Sequence, residues 1–269
     1  MRVLIYLFLT SQLLFSAVYY SKVEPYKVKK LSSSVSGEVL FTYENQVGKR
    51  LTKKPFIIID SEIDRAELID VDKKLKSLRN SLALNEKVLK NLSAVLKKKK
   101  ANFKRTESLK IKSRIDKDRE FYDLIASENA FIATQKELNS LSNSIADLEL
   151  RRVKLQKSIR DKKVLANGYL LYAINVQEGE VVNIGTPLAQ VADISKALLT
   201  IYVDDHELEN IKNKTIYIND KKTDYKILRI LDIADSVNIS KYKVQIAIQA
   251  PKVFSKLAKV ELKEDRDEK

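Results

Sequence analysis

The sequence predicts an α+β multidomain fold, in which a long antiparallel α-helical hairpin interrupts a split β-sandwich and a small antiparallel β-barrel follows. Two observations predict this fold. Residues 56–167 contain neither glycine nor proline, the residues that most often break regular structure. The segments on each side of this run carry glycines and alternate apolar with polar residues, as half-buried strands do. A helical insert between two β-rich halves accounts for both observations.

Composition limits the possible functions. The chain has 269 residues and a formal net charge of +14, which favours an acidic partner: nucleic acid, an anionic membrane surface or an acidic protein face. Cysteine is absent, which excludes disulfides, thiol catalysis and zinc sites built from cysteine. With His206 as the single histidine, acid–base and nucleophilic catalysis have few candidates, and we expect no enzyme.

The first element is an apolar N-terminal segment, assigned to residues 1–22. Met1 and Arg2 precede an apolar run that polar residues interrupt at positions 10–12 and 16. A positive start before an apolar core is typical of a secretory signal, and the run approaches the ~20 residues that cross a bilayer. This order predicts an exported protein and argues against a nucleic-acid partner. It leaves open whether the segment is cleaved or kept as a membrane anchor.

The second element is the helical insert, residues 61–163. Apolar residues recur along it at alternating spacings of three and four, which is typical of a coiled coil. Asn85 and Lys99 interrupt the first series and Arg152 interrupts the second. The first series comprises Leu68, Val71, Leu75, Leu78, Leu82, Leu89, Leu92, Leu96 and Phe103. The second series comprises Phe131, Leu138, Leu141, Ile145, Leu148, Leu155 and Ile159.

Both series weaken between Lys104 and Arg119, which places the turn there. The arms are then residues 61–110 and 116–163, each about 70 Å long at 1.5 Å per residue. Asp116 is the predicted N-cap of the second arm, because its side-chain oxygen can accept a free backbone N–H. The alternative is one continuous rod that pairs with a second chain.

Charge is concentrated near this turn. Residues 90–119 contain 12 lysines and arginines against 3 acidic residues. The run Lys97-Lys98-Lys99-Lys100 is part of this excess. Two interpretations stay open: a solvated face that keeps a long rod soluble, or a tip that docks on an acidic surface.

The flanks of the insert are predicted to be two halves of one β-module, residues 31–60 and 164–194. Each half has too few strands to bury its own apolar face, but the base of the hairpin would bring the two together. Five glycines are assigned to the turns: Gly37, Gly48, Gly168, Gly179 and Gly185. An offset of 131 residues aligns Gly37 with Gly168, Val39 with Leu170, Phe41 with Tyr172, Gly48 with Gly179, Leu51 with Val182 and Ile57 with Leu188.

The remaining elements are a β-barrel over residues 195–252 and a charged C-terminal tail over residues 253–269. Short alternating segments at 198–203, 215–218, 225–232 and 242–250 predict the barrel strands. His206 lies in Asp204-Asp205-His206-Glu207, a set of possible metal ligands. Four adjacent residues seldom converge on one ion, so we expect no metal site and assign these residues to a turn or short helix.

The second half-module resembles a biotinyl/lipoyl domain, through Gly168, Gly179, Val182 and the run Gly185-Thr186-Pro187-Leu188. A lipoyl domain split by a coiled-coil hairpin resembles the periplasmic adaptor, or membrane fusion protein, family of tripartite efflux pumps and type I secretion systems, including haemolysin-secretion-like adaptors. The resemblance covers roughly residues 35–250. A carrier domain needs a modifiable lysine at a turn between its halves; here the hairpin occupies that connection, so we expect no prosthetic group.

The resemblance implies a periplasmic location beside the inner membrane of a Gram-negative bacterium. It implies three kinds of partner: an inner-membrane transporter of the ATP-binding cassette or resistance-nodulation-division type, a TolC-like outer-membrane channel, and further copies of the chain in a ring, possibly a hexamer. The short C-terminal remainder argues against the resistance-nodulation-division subclass. The alternative function is a structural coiled-coil protein that binds an anionic surface through its basic tip.

The resemblance also implies a contact motif at the tip, about residues 105–116. Adaptors of this kind carry an arginine, a leucine four residues on and a serine seven further. That spacing falls on Arg105, Leu109 and Asp116, with aspartate in the place of serine. Arg105 would donate forked hydrogen bonds to the channel and Leu109 would fill an apolar notch. The alternative is that the three are a surface charge, a seam residue and a cap.

Overall fold

The computed structural model describes residues 17–234 and 241–264. Two short 3₁₀ turns at Glu44–Gln46 and Ile211–Asn213 accompany the longer elements. In chain order these elements are β1 (Val18–Lys22), β2 (Glu24–Ser32), β3 (Gly37–Thr42), β4 (Ile57–Ile59), α1 (Glu62–Ser108), α2 (Arg114–Asp161), β5 (Lys163–Val164), β6 (Leu170–Ile174), β7 (Val181–Val182), β8 (Pro187–Asp204), α3 (Asp205–Leu208), β9 (Thr215–Ile218), β10 (Lys221–Lys222), β11 (Ile227–Ala234), β12 (Lys241–Gln249) and β13 (Leu257–Lys263).

The long insert is an antiparallel helical hairpin within one chain, as predicted. Its arms, α1 and α2, have 47 and 48 residues, and their ends lie within two residues of the expected positions. The predicted apolar series face each other, with Val71, Leu75 and Leu155 buried near the base. Leu96 and Leu124 are buried nearer the turn. The seam residues between are half-buried, because two helices alone cannot cover both sides of their contact.

The interruptions of the apolar series carry contacts between the arms. Arg152 pairs with Asp72 at 2.7 Å, and the Lys99 ammonium donates to the backbone carbonyl of Asp123 at 3.1 Å. Further ion pairs join Arg79 to Glu149 at 2.6 Å, Lys100 to Glu128 at 2.8 Å, and Arg151 to Glu67. Exposed pairs of this kind add little stability, but they fix which residues of the two arms lie side by side.

Residues from both sides of the hairpin form one β-module with a single core. β3 pairs with β4 from its own half and with β7 from the other half, and β5 pairs with β4. On the opposite side β8 lies between β2 and β6. The core draws on both halves: Val39, Leu51, Phe56, Ile57 and Ile59 from the first, and Leu171, Val176, Val182, Leu188, Ala189 and Val191 from the second.

The two halves are equivalent, and reciprocal hydrogen bonds join them. The Gly48 N–H donates to the Leu171 carbonyl at 2.8 Å, and the Gly179 N–H donates to the Val39 carbonyl at 2.8 Å. The predicted alignment is wrong by one residue in this strand: Val39 corresponds to Leu171, not to Leu170. Both side chains are fully buried, and each precedes a register shift in its strand. A bulge adds one residue to a strand, so the positions that face the core are shifted by one residue beyond it.

The predicted barrel is also corrected. The described residues form no closed barrel; two sheets pack on a common core instead. One sheet has the order β1-β13-β9-β10 and the other the order β11-β12-β8-β2. The four predicted strands are present, but residues 195–252, which were expected to form the barrel, supply only part of these two sheets. β1 and β2 come from before the hairpin, and β13 lies in the region assigned to a tail.

These pairings shift two expected boundaries. Val18–Lys22 is a strand and not the end of the apolar N-terminal segment, and Leu257–Lys263 is a strand and not tail. Residues 1–16 and 265–269, which hold the rest of both assignments, lie outside the described residues. In the part of the chain that the structure describes, no helix is both long and apolar enough to span a membrane.

The β-modules are joined by continuous strands. The 18-residue strand β8 pairs with β2 and β6 over its first part and with β12 over its second part. β2 runs beside it through both modules. The expected boundary near residue 194 therefore falls inside a paired strand, which makes the connection stiffer than a linker.

We expect Leu171→Ala to lower the free energy of unfolding by about 2–5 kcal/mol, because the side chain is fully buried in the core that the two halves share. Chemical denaturation would measure this. The neighbouring Tyr172 is 63% exposed, so Tyr172→Ala is a matched control that we expect to change stability by less than about 0.5 kcal/mol. Equal effects of the two substitutions would contradict the shared core.

Candidate functional site

The candidate site is the tip of the hairpin, where α1 ends and α2 begins. The helix α1 stops at Ser108, and the Leu109 N–H donates to the Thr106 carbonyl at 3.2 Å. Across the turn, the Lys117 ammonium donates to the Glu107 carbonyl at 3.0 Å. This bond satisfies one of the carbonyls that the end of a helix leaves free. The turn is thus closed by local contacts and is not a loose loop.

The cap of α2 is Ser113, not Asp116 as predicted. The Ser113 hydroxyl accepts from the Asp116 backbone N–H at 3.1 Å and donates to the Asp116 carboxylate at 2.7 Å. The helix therefore begins earlier and Asp116 occupies its first turn, where a negative charge suits the helix dipole. The sequence signal for this cap was present, because a serine three residues before an acidic residue often marks a helix start.

The other two predicted contact residues lie at the end of α1. Arg105 is exposed in the last turn, and its guanidinium donates to the Asn102 side chain at 3.2 Å. Leu109 follows the helix and is 43% exposed, so it is not a fully packed seam residue. The structure brings Arg105, Leu109 and Asp116 into the same turn region.

The sequence reasoning missed an apolar surface at the tip. Ile111 is 96% exposed and Ile115 is 73% exposed. We call Leu109, Ile111 and Ile115 the apolar tip. Lys110, Lys112 and Arg114 alternate with these residues in the sequence. The apolar residues at positions 109, 111 and 115, separated by basic residues and Ser113, could have shown this surface. Exposed apolar residues rimmed by charge are typical of an interaction site.

At the other end, polar contacts join the two arms of the hairpin where they leave the split β-module. Lys162 pairs with Asp64 at 2.7 Å, and both side chains are largely buried. The Ser158 hydroxyl also donates to Asp64, at 3.0 Å. Because the two arms are joined to each other at this point, their common direction is set where they leave the module.

Two further contacts secure the same junction. The Asp161 carboxylate accepts from Lys157 at 2.6 Å and from the Ser34 hydroxyl at 3.2 Å. The hydrogen bond from Lys157 is the main cause that holds the pKa of Asp161 below its usual range. Gly37 lies against Ile59, and a Cβ atom at Gly37 would come within 2.8 Å of the Ile59 side chain. Only glycine allows β3 to lie this close to the Ile59 side chain of β4.

The acidic segment around His206 has a structural contact. The Tyr19 hydroxyl donates to Glu207, which ties β1 to the short helix α3. Burial, followed by this hydrogen bond, raises the pKa of Tyr19 well above its usual range. Among residues 17–234 and 241–264, no group of three or more histidine, aspartate or glutamate side chains is placed to hold a metal ion.

The chain is similar to several solved protein structures. No protein-family model and no curated protein matches the chain. The solved structure of MacA from Actinobacillus actinomycetemcomitans is similar with a TM-score of 0.71 at 15% identity, over 92% of this chain and 78% of MacA. A MacA–MexA chimera that contains the α-hairpin domain of Pseudomonas aeruginosa MexA gives a TM-score of 0.59 at 16% identity, over 93% of this chain and 81% of the chimera.

A third similar structure is a membrane fusion protein from Streptococcus pneumoniae, with a TM-score of 0.58 at 14% identity, over 93% of this chain and all of that protein. The chain therefore has the fold of the membrane fusion proteins, with a hairpin inserted in a lipoyl-like module. At these identities the likeness establishes the fold, and the predicted fold class is confirmed with the exception of the closed barrel.

We expect Ser113→Ala to destabilise the first turn of α2 by about 1 kcal/mol, because the Asp116 N–H would lose its acceptor. Hydrogen exchange at the tip amides would measure the change as faster exchange. Ser127→Ala is the matched control, since its hydroxyl bonds only to a carbonyl within the helix. Unchanged exchange at the tip in Ser113→Ala would contradict the capping role.

Proposed function

We propose that this chain is a non-enzymatic periplasmic adaptor that links an inner-membrane transporter to an outer-membrane channel. The observation that carries the proposal is a rod of about 70 Å, whose arms are joined at the base by Lys162 and Asp64 and which ends in an apolar and basic tip. A rod that leaves the β-module at one end and carries an interaction surface at the other end suits a protein that bridges two partners. The shared fold with MacA supports the same role.

The proposed location is the periplasm, beside the inner membrane of a Gram-negative bacterium. The positive and apolar N-terminal sequence supports export, and the absence of cysteine is compatible with that compartment.

The tip is the proposed contact with the channel. The apolar tip would enter a notch between helices or loops of the channel, where its burial supplies the affinity. Arg105 and the neighbouring basic residues would pair with carboxylate and carbonyl oxygens at the rim of that notch. Asp116 would act indirectly, by holding the Ser113 hydroxyl and the start of α2 in place.

We expect the double substitution Arg105→Glu with Leu109→Ser to abolish export while leaving the helical content unchanged, because both side chains are exposed. An export assay in cells and circular dichroism of the purified protein would measure the two effects. The matched control is Lys87→Glu with Leu150→Ser, which reverses one basic charge and replaces one leucine by serine at exposed positions away from the tip.

Normal export by the tip variant would contradict the docking role. Vesicle binding that falls steeply with salt, together with normal export in that variant, would instead favour the alternative, a structural coiled-coil protein on an anionic surface.

We also propose that copies of the chain assemble in a ring, with the hairpins forming a tube. Each helix carries a second apolar stripe besides the seam. On α1 the exposed residues Leu84, Val88 and Val95 are spaced by four and seven, so they share a helix face. On α2 the exposed residues Tyr122, Ile125 and Ile132 are spaced by three and seven. A closed ring needs two different complementary surfaces on each subunit, and one stripe per arm meets that need.

We expect Val88→Glu with Val95→Glu to shift the chain toward the monomer, because two carboxylates would face an apolar surface of the next subunit. Analytical ultracentrifugation would measure the oligomeric state. Asn80→Glu with Ala94→Glu is the matched control, with the same number of charges on another exposed face of α1. Equal association of the two variants would contradict an interface that uses this stripe.

A further inference from the structure

We propose that the outer face of the sheet formed by β1, β13 and β9 rests on the headgroup region of a lipid bilayer. This outer face consists of Val18, Tyr20 and Lys22 on β1, Leu257, Lys259, Glu261 and Lys263 on β13, and Tyr217 on β9. The inference goes beyond the adaptor role, which needs only that the base of the chain is held near the inner membrane.

The strand register places these residues on one face. Val18 lies opposite Glu261, and Glu261 lies opposite Tyr217 on the next strand. Tyr20 lies opposite Lys259, and Lys22 lies opposite Leu257. Side chains at directly paired positions point to the same side of a sheet. The intervening residues, among them Ala258, Val260 and Leu262, face the other way into the core.

The outer face is uncovered and apolar at several positions. Tyr20 is 65% exposed, Leu257 is 67% exposed and Val18 is 44% exposed. A sheet whose inner side is already packed on its core has no structural need for these residues on its outer side. Large apolar and aromatic side chains that are exposed on one face are typical of a surface that a membrane or another protein covers.

The charged residues of this face are arranged as in a membrane interface. Glu261 is almost fully buried between Lys259 and Lys263, and the hydrogen bonds from these lysines hold its pKa below the usual range. The Lys263 ammonium lies 4.5 Å from the centre of the Tyr217 ring. Three lysines (Lys22, Lys259 and Lys263) face Glu261 and Asp220, which pairs with Lys259 at 2.7 Å, so the face has a small positive excess. Tyrosines and lysines with an apolar body and a polar end are favoured at the level of lipid headgroups.

The position of this face along the chain selects lipid as its occupant. β1 begins at Val18, directly after the apolar sequence of residues 3–16, which lies outside the described residues. With that sequence in a bilayer, all of β1 lies within about 15 Å of the headgroups, at roughly 3.3 Å per residue. Every copy of the chain would meet lipid there, whichever transporter it serves. The positive charge of the face fits anionic headgroups.

A fluorescence experiment on the full chain tests this proposal. The native chain has no cysteine, so Tyr20→Cys and Leu257→Cys each give a single site for an environment-sensitive label. The labelled chain is reconstituted in liposomes of phosphatidylethanolamine and phosphatidylglycerol that contain a nitroxide-bearing lipid as quencher. Leu228→Cys is the matched control, because Leu228 is 46% exposed but lies on β11, in the other sheet of the same module.

We expect quenching at positions 20 and 257 to be at least roughly threefold stronger than at position 228, since only the first two would touch lipid. Equal quenching at the three positions, or failure of the chain to float with the liposomes, would overturn the proposal. Circular dichroism establishes that each variant is folded, and two reporters on the face keep the test valid if one disturbs its strand. Weak quenching combined with normal export would overturn this inference and leave the adaptor role standing.

Discussion

The structure depends on the pairing of β3 with strands from both sides of the hairpin. Neither half of the split β-module could bury Val39 or Leu171 by itself, because each has too few strands to cover its apolar face. The chain must therefore return to its starting point after more than a hundred residues. Two helices of 47 and 48 residues meet this condition, since equal arms end where they began. The reciprocal bonds of Gly48 and Gly179 complete the pairing.

This closure also gives the rod a defined direction. Lys162 and Asp64 join the two arms at the point where they leave the module, and Gly37 allows β3 to lie close to β4 there. Beyond the junction, ion pairs between the arms hold their register up to the tip. At the base, β8 and β2 run through both β-modules. The tip therefore lies at the end of a rod about 70 Å long whose base is continuous with both β-modules, as the proposed adaptor role requires.

Much of this architecture could be predicted from the sequence, because its signals are local. The apolar repeat and the lack of glycine and proline predict both ends of each helix of the hairpin to within two residues.

The predictions fail where segments that are distant in the sequence decide which strands pair and which residues are buried. The β13 sequence resembles a charged tail because Lys259, Glu261 and Lys263 dominate it, although these residues pair on one face of the strand while Val260 packs on the other. The one-residue error between Val39 and Leu170 came from bulges, which leave no mark in composition. At the tip, the exposure of Ile111 depends on the absence of a packing partner, which no single sequence pattern reports.

The central claim is that the tip meets an outer-membrane channel while the base stays at the inner membrane. The most direct measurement places a photoreactive amino acid at Ile111 in cells, with the same amino acid at the exposed Leu150, which lies nearer the base of the hairpin, as the reference. The account predicts an adduct between this chain and an outer-membrane channel protein from position 111 and none from position 150. An absence of that adduct at position 111, with the chain folded and exported, would contradict the account.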